Sequence, residues 1–330
     1  MASKESGDLS PAPLSRRHGN ERRLPRDPAG YRAVLEASGS ADSKDQEKVA
    51  IEEVWLKAPT TPLPDQLVVY DARETVRHAL SDHAYELVIH CARCPGHEGA
   101  NDDALGFLRW DEHSIALIVA GGVGGARSGD RASRVAVEMV IDRLKRRDPS
   151  SDPRDNILSA IELANSEILS WGIGAATTLT CVTIQNDEFR CYHVGDSLGL
   201  VLGQRGKKKF QTTSHSPVGY LIESGTLEER QAIRHEDLHI VSNLLGSESM
   251  SIELTSPVSL SARDTIVLAS DGLSDNLYLE EITDKTRKGG LSEAADRLVQ
   301  LANSRMTSEG TSRPSKPDDL TFILCRRRRT

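Results

Sequence analysis

The chain has 330 residues, 38% hydrophobic and 27% charged, with a formal net charge of −8 and a pI of about 5.7. That length accommodates one large domain with appendages, or two domains. The acidic balance argues against a general nucleic-acid binder, no run of about 18 apolar residues is present to span a membrane, and five scattered cysteines fit reduced thiols in the cytoplasm.

Residues 1–48 are rich in Ser, Pro, Arg, Asp and Glu and poor in large apolar side chains. Such a segment buries too little surface to offset its ordering entropy, which predicts disorder. The arginines between Arg16 and Arg26 suit an acidic partner, but a solvated tail is the simpler reading. No apolar run follows Arg16-Arg17 or Arg22-Arg23, as a secretory signal would require. Residues 49–83 read as a linker or lead-in broken by Pro59, Pro62 and Pro64, with a short strand from Leu67 to Tyr70 and a short helix from Arg73 to Leu80.

From residue 84 the pattern becomes regular. Leu87 to Cys91 is strand-like, and a loop from Pro95 to Asp103 follows. Ala104 to Trp110 and Ser114 to Ala120 form a strand pair around Asp111-Glu112-His113. The second of these is apolar throughout, which predicts burial on both faces. It runs into Gly121-Gly122-Val123-Gly124-Gly125, where glycines let the backbone turn sharply and approach a ligand. A helix to about Arg146 and another over Asn156 to Ser170 follow. Thr177–Ile184 and Phe189–Val194 flank the hairpin signal Gln185-Asn186-Asp187-Glu188, and Leu198–Leu202 and Lys207–Thr212 flank Gly203 to Gly206. Later strands are Ile252–Leu254, Thr265–Ala269 and Leu320–Cys325, with a helix over Ser292–Arg305; 279–289 and 306–316 read as polar connections, and 327–330 as a basic tail. This succession predicts an α+β fold, an antiparallel β-sandwich with helices outside.

Carboxylates stand at several strand ends: Asp102 and Asp103, Asp271 after a strong strand, and Asp318-Asp319 before the last one. A sandwich can gather them at one rim, where they repel one another unless protons or cations intervene. Hard oxygen donors without a His or Cys array favour Mg²⁺ or Mn²⁺ over zinc. Any one acidic pair is more often a solvated loop; the three together point to a metal site. Cys91-Ala-Arg-Cys94 lacks the second pair a zinc site needs. Cys181, Cys191, His193 and His215 read as core or loop residues.

Asn101-Asp102-Asp103-Ala104, the Gly-Gly-Val-Gly-Gly turn, Ala176-Thr177-Thr178-Leu179, His193-Val194-Gly195-Asp196-Ser197, Leu268 to Asp275 and Asp318-Asp319-Leu320-Thr321 occur in that order. Ser214 to Val218 and Leu244-Leu245-Gly246 add two weaker matches. The ordered set resembles the bacterial branch of the PP2C (PPM) metal-dependent serine/threonine protein phosphatases, over about residues 84–326. The resemblance implies a central antiparallel β-sandwich flanked by helices, with two Mn²⁺ or Mg²⁺ ions at one edge. It implies a phosphoric monoester hydrolase in which metal-activated water attacks phosphoserine or phosphothreonine of a phosphorylated protein substrate. Carried over, Asp271 and Asp318 are direct metal ligands, Asp102 and Asp103 hold metal directly or through water, and the Gly122 carbonyl is a further ligand. Gly195, Asp196 and Ser197 make a structural turn, and Thr177 and Thr178 support the sheet.

The chain departs from the family pattern twice. Gly121 stands where the family has an Asp that bridges both metals, so the expectation is impaired catalysis and one retained ion rather than two. Glu98 stands where many members carry a phosphate-binding Arg, with His97 and Arg93 the candidates to replace it. The alternative function is a pseudophosphatase that binds a phosphoprotein or partner without turnover; a hydrolase of small phosphorylated molecules is a third.

Overall fold

The computed structural model describes residues 32–36, 61–82, 84–123, 128–148, 150–308 and 314–328. The strands are β1 (Arg32–Glu36), β2 (Thr61–Pro62), β3 (Gln66–Tyr70), β4 (Val76–Ser81), β5 (Tyr85–Ala92), β6 (Asp103–Asp111) and β7 (Ser114–Gly121). Helices α1 (Gly129–Lys145) and α2 (Pro153–Ser170) follow. Then come β8 (Leu179–Gln185), β9 (Glu188–Val194), β10 (Leu198–Leu202), β11 (Lys208–Gln211), the short helices α3 (Pro217–Glu223) and α4 (Glu229–Ala232), and strands β12 (Glu253–Leu254), β13 (Val258–Ser259) and β14 (Thr265–Ala269). The chain closes with α5 (Asp271–Ser274), α6 (Leu279–Thr286), α7 (Leu291–Met306) and β15 (Leu320–Arg327).

Among the described residues these strands form two sheets. One runs β1-β3-β6-β7-β8-β9-β12, with β13 also on β9; the other runs β11-β10-β14-β15-β5-β4-β2. All pairings are antiparallel except β2 with β4. Leu105, Phe107, Leu117 and Val119 of the first sheet face Leu87, Ile89, Leu268 and Ile323 of the second in one core. The alternate residues Ile118 and Cys181 instead pack under Val137 and Ile141 of α1 and Ile157 and Ile161 of α2. On the far side, Val267 and Leu324 pack under Ile282 of α6 and Leu298 of α7. Helices therefore cover both outer faces, which explains why every residue of β7 is buried. The architecture is the expected α+β sandwich.

Local chemistry sets the boundaries. Asp152 caps α2 by accepting from the Arg154 N–H at 2.9 Å, with Pro153 at the first helical position. Asn186 and Asp187 both take positive φ, 48° and 67°, as a two-residue hairpin requires.

Three expectations need correction. Arg73 to Leu80 is not helical: β4 lies antiparallel to β5, with Val76 opposite Cys91 and Leu80 opposite Leu87. Pairing on that sheet edge, with Val76 and Leu80 buried in the core, outweighs helix propensity. Residues 66–81 are therefore part of the sandwich rather than a lead-in to it. Within 279–289, α6 replaces the expected connection; the Tyr278 N–H donates to Glu281 at 3.0 Å at its start. Within 1–48, the five residues of β1 pair with β3, and the rest of that segment lies outside the described residues. Residues 124–127 of the glycine turn do as well.

Candidate active site

Both sheets end at one rim. On the first, Asp103 opens β6 opposite Gly121, the last residue of β7. On the second, β14 stops at Ala269 and leads into Ser270 and Asp271, while β15 starts just after Asp318 and Asp319. Asp319 ties the two together, accepting from the backbone N–H of Cys94 at 2.7 Å and of Asp102 at 2.6 Å.

Gly121 is held from the segment that leads into β8. Its N–H donates to Thr178 Oγ1 at 2.9 Å, and its carbonyl accepts from Thr177 Oγ1 at 2.9 Å and from the Thr178 N–H at 2.9 Å. A Cβ here would lie 3.3 Å from Asp103 Oδ1 and 3.3 Å from Thr178 Oγ1, with Ser270 Cβ at 3.8 Å. A side chain at 121 thus starts between the Asp103 carboxylate and the residue before Asp271. Gly122 differs. Its Cβ would meet the Asp102 carbonyl at 2.5 Å and Gly129 backbone atoms at 2.6 and 2.7 Å, so only glycine lets β7 meet the start of α1.

The rim is crowded with carboxylates. Asp103 is 4% exposed, and its Oδ2 is buried with no hydrogen-bond partner among the described residues. Burial, reinforced by Asp319, Asp271 and Asp318, holds its proton affinity well above the usual carboxylate range. Asp102 is pushed up to about 6 by burial and then by Asp319 and Asp130. Asp318 goes to about 6 and Asp275 to about 7, in both cases by burial first and the Asp271 charge second. Asp196 is raised by burial and by Asp271 and Asp275.

A lysine answers this charge. Lys316 Nζ lies 2.5 Å from Asp271 Oδ2, 2.8 Å from Asp275 Oδ2 and 3.2 Å from Asp318 Oδ2. Burial opposes its charge, yet the three carboxylates prevail and hold it above the ordinary lysine range.

Of the residues expected at the site, Asp102, Asp103, Gly121, Gly122, Asp271 and Asp318 come to this rim. Glu98 and His97 are exposed on the preceding loop, and Arg93 Nη1 donates to the Gly99 carbonyl at 3.0 Å. His97 lies near enough to Asp102 and Asp319 to lower both electrostatically. Sequence reasoning missed Lys316, Asp275 and Asp196 as members of the cluster. Asp275 had a readable signal, since a helical turn after Asp271 returns residue i+4 to the same side. A cavity of about 580 Å³ opens alongside, lined by Asp196 and Asp275 and by the apolar Val218, Ile222 and Leu277.

The all-oxygen donor set suits a hard divalent cation, and Asp103 Oδ2 is a buried acceptor that the described residues leave without a donor. Yet among the described residues no three His, Cys, Asp or Glu side chains are arranged to hold a metal ion. The carboxylates that converge do so on an ammonium. The residues fit a divalent cation in kind, at a place where Lys316 sits.

A family model described as protein phosphatase 2C matches residues 96–309. A serine/threonine phosphatase of Listeria welshimeri is 30% identical over 214 residues, covering 62% of this chain and 84% of that protein. Among solved structures, a serine/threonine phosphatase of S. agalactiae is 27% identical with a TM-score of 0.63, over 73% of this chain and 99% of that one. The catalytic domain of the phosphatase PstP, solved with two manganese ions, shares the fold at 23% identity and a TM-score of 0.60, over 74% of this chain and 99% of that one.

Proposed function

The chain belongs to the protein phosphatase 2C family, and from that membership we propose that it works in the cytoplasm and hydrolyses phosphoserine and phosphothreonine in proteins with Mn²⁺ or Mg²⁺, at a rate held low by Gly121. The name of the Listeria relative and the manganese of the PstP domain support the reaction class and the metal. The described cysteines, all free thiols, suit a reducing compartment.

Asp271, Asp318 and Asp103 would hold the ion, with Asp102 behind them. Once bound, a divalent cation neutralises phosphate charge and lowers the pKa of water for attack on phosphorus. The protein supplies the rest. Both sheet ends fix the carboxylates on rigid strands, Thr177 and Thr178 clamp the backbone at 121, and the cavity beside Asp275 offers an apolar wall to residues flanking the phosphorylated side chain.

The observation that carries the reading of low activity is the surroundings of Gly121. A side chain there would begin 3.3 Å from Asp103 Oδ1, yet glycine contributes only backbone. An Asp at that point would add one negative charge and one oxygen ligand to the rim. A loss of about 4 kcal/mol of transition-state stabilisation is roughly a thousandfold in rate. Gly121→Asp is expected to raise phosphothreonine-peptide turnover in Mn²⁺ by at least about a hundredfold. A variant that folds, binds metal and turns over no faster would overturn this reading. The second reading, a partner-binding module without turnover, is favoured by Gly121 together with the exposed Glu98; it gains if Gly121→Asp stays silent.

A further inference from the structure

Lys316 is not a wandering surface lysine. Its backbone is clamped from both sides by one buried side chain: the Lys316 N–H donates to Asn276 Oδ1 at 2.8 Å, and Asn276 Nδ2 donates to the Lys316 carbonyl at 2.8 Å. Asn276 is itself 0% exposed, and its own carbonyl accepts from Arg305 Nη1 at 2.6 Å. Arg305, 4% exposed on α7, also pairs with Glu281 of α6 at 2.6 Å. The lysine therefore springs from a point fixed by three elements of the fold.

Its tip is equally determined. An ammonium has three N–H donors, and three carboxylate oxygens stand within 3.2 Å of it. Asp271 and Asp275 come from one helical turn, and Asp318 comes from the segment before β15. Oxygen donors of the kind a hard cation takes converge instead on a compact, strongly hydrated point charge. The charge is one unit instead of two, and it is tethered to the chain.

We infer that Lys316 is a resident cation that occupies the position between Asp271, Asp275 and Asp318 and competes with divalent metal for it. The inference rests on the metal-centre reading above, but concerns occupancy rather than turnover. With Lys316 in place, the rim folds without metal. Metal reaches Asp271 and Asp318 only when the ammonium leaves, so the lysine raises the metal concentration that the centre demands. Removing it has two coupled effects. The metal-free protein loses stability, because three carboxylates then face one another unneutralised. The same protein gains affinity for Mn²⁺, because the competitor is gone.

The test uses the full chain and Mn²⁺ alone, with no phosphorylated substrate. Lys316→Gln keeps length and a polar tip but removes the charge; Lys316→Ser removes the side chain while leaving the backbone N–H for Asn276; Lys316→Arg keeps the charge. Thermal melts are run in chelator and in Mn²⁺, and manganese affinity is measured by titration calorimetry. Wild type and Lys316→Arg should gain less in melting temperature from Mn²⁺ than either uncharged variant. Lys316→Gln and Lys316→Ser should melt lower in chelator, recover in Mn²⁺, and bind Mn²⁺ at least about tenfold more tightly than wild type. A variant that folds only in Mn²⁺ is the same result in stronger form. Unchanged affinity in both uncharged variants overturns the inference, as does a wild-type chain already stabilised by Mn²⁺ to the same degree. Either outcome leaves the phosphatase reading to its own activity test, and a silent activity test leaves these binding results standing.

Discussion

Neighbouring glycines at the end of β7 have opposite tolerances. At 121 a Cβ meets two polar side-chain oxygens, each at 3.3 Å, that can yield by a few tenths of an ångström; at 122 it meets backbone at 2.5 to 2.7 Å, which cannot. Gly121→Ala should cost less than about 1 kcal/mol and Gly122→Ala about 3 kcal/mol or more, read by denaturant unfolding. Equal costs would mean that the packing against Gly129 is not as described. His90 gives a second test at this scale. It is buried against Phe322, ring centroids 5.0 Å apart, with neither ring nitrogen hydrogen-bonded among the described residues. Burial, helped by Arg77, pushes it down to about 3. A histidine lowered on folding stays neutral in the native state while the unfolded chain takes up a proton near pH 6.5, so its contribution is lost as pH falls below that value. The raised carboxylates of the rim act with the opposite sign, binding protons in the native state first. Comparing variants separates the two: His90→Leu should remove about 2 kcal/mol of the stability lost between about pH 7 and about pH 5. Asp102, Asp103, Asp271 and Asp318 were legible because strand ends and acidic pairs are local patterns, whereas Asp196 and Asp275 were passed over. Lys316 was not legible, because its role is made by Asp271 and Asp275, more than forty residues earlier in the chain.

Elements were most legible where one side of the pattern is strongly apolar. β7, α2 and the β8–β9 hairpin lie where periodicity and turn chemistry put them. β4 was misread because its short run, Val76 to Ser81, carries only two fully buried residues and owes its form to the adjacent edge of β5. Helix α3 went unread although its start is explicit: Ser216 accepts from the Gly219 N–H at 2.9 Å, with Pro217 in the first turn. The Ser-Pro signal was present, but the seven residues that follow are too few to show a helical period. At the other end of the chain, β1 covers the outer edge of β3. Deleting residues 1–48 should therefore leave a cooperatively folding protein but speed amide exchange along Gln66–Tyr70, since a bare sheet edge exposes its backbone groups. Unchanged exchange there would show that β1 contributes no protection.

The whole molecule gathers charge of one sign at the common end of two rigid sheets, in a chain whose net charge is already −8. Close packing on both faces of β7 keeps the rim from relaxing away from its own repulsion. A tethered ammonium, a divalent ion or protons can each neutralise that repulsion. The fold and the family were legible in the ordered motifs. The balance among those three was not, because it depends on distances across sheet ends. On the proposed reading, Gly121 deprives the rim of the charge needed to hold a second ion. Native mass spectrometry of the full chain in Mn²⁺ measures this directly. The wild-type chain should carry at most one manganese and Gly121→Asp two. Two manganese ions on the unaltered chain would contradict that reading.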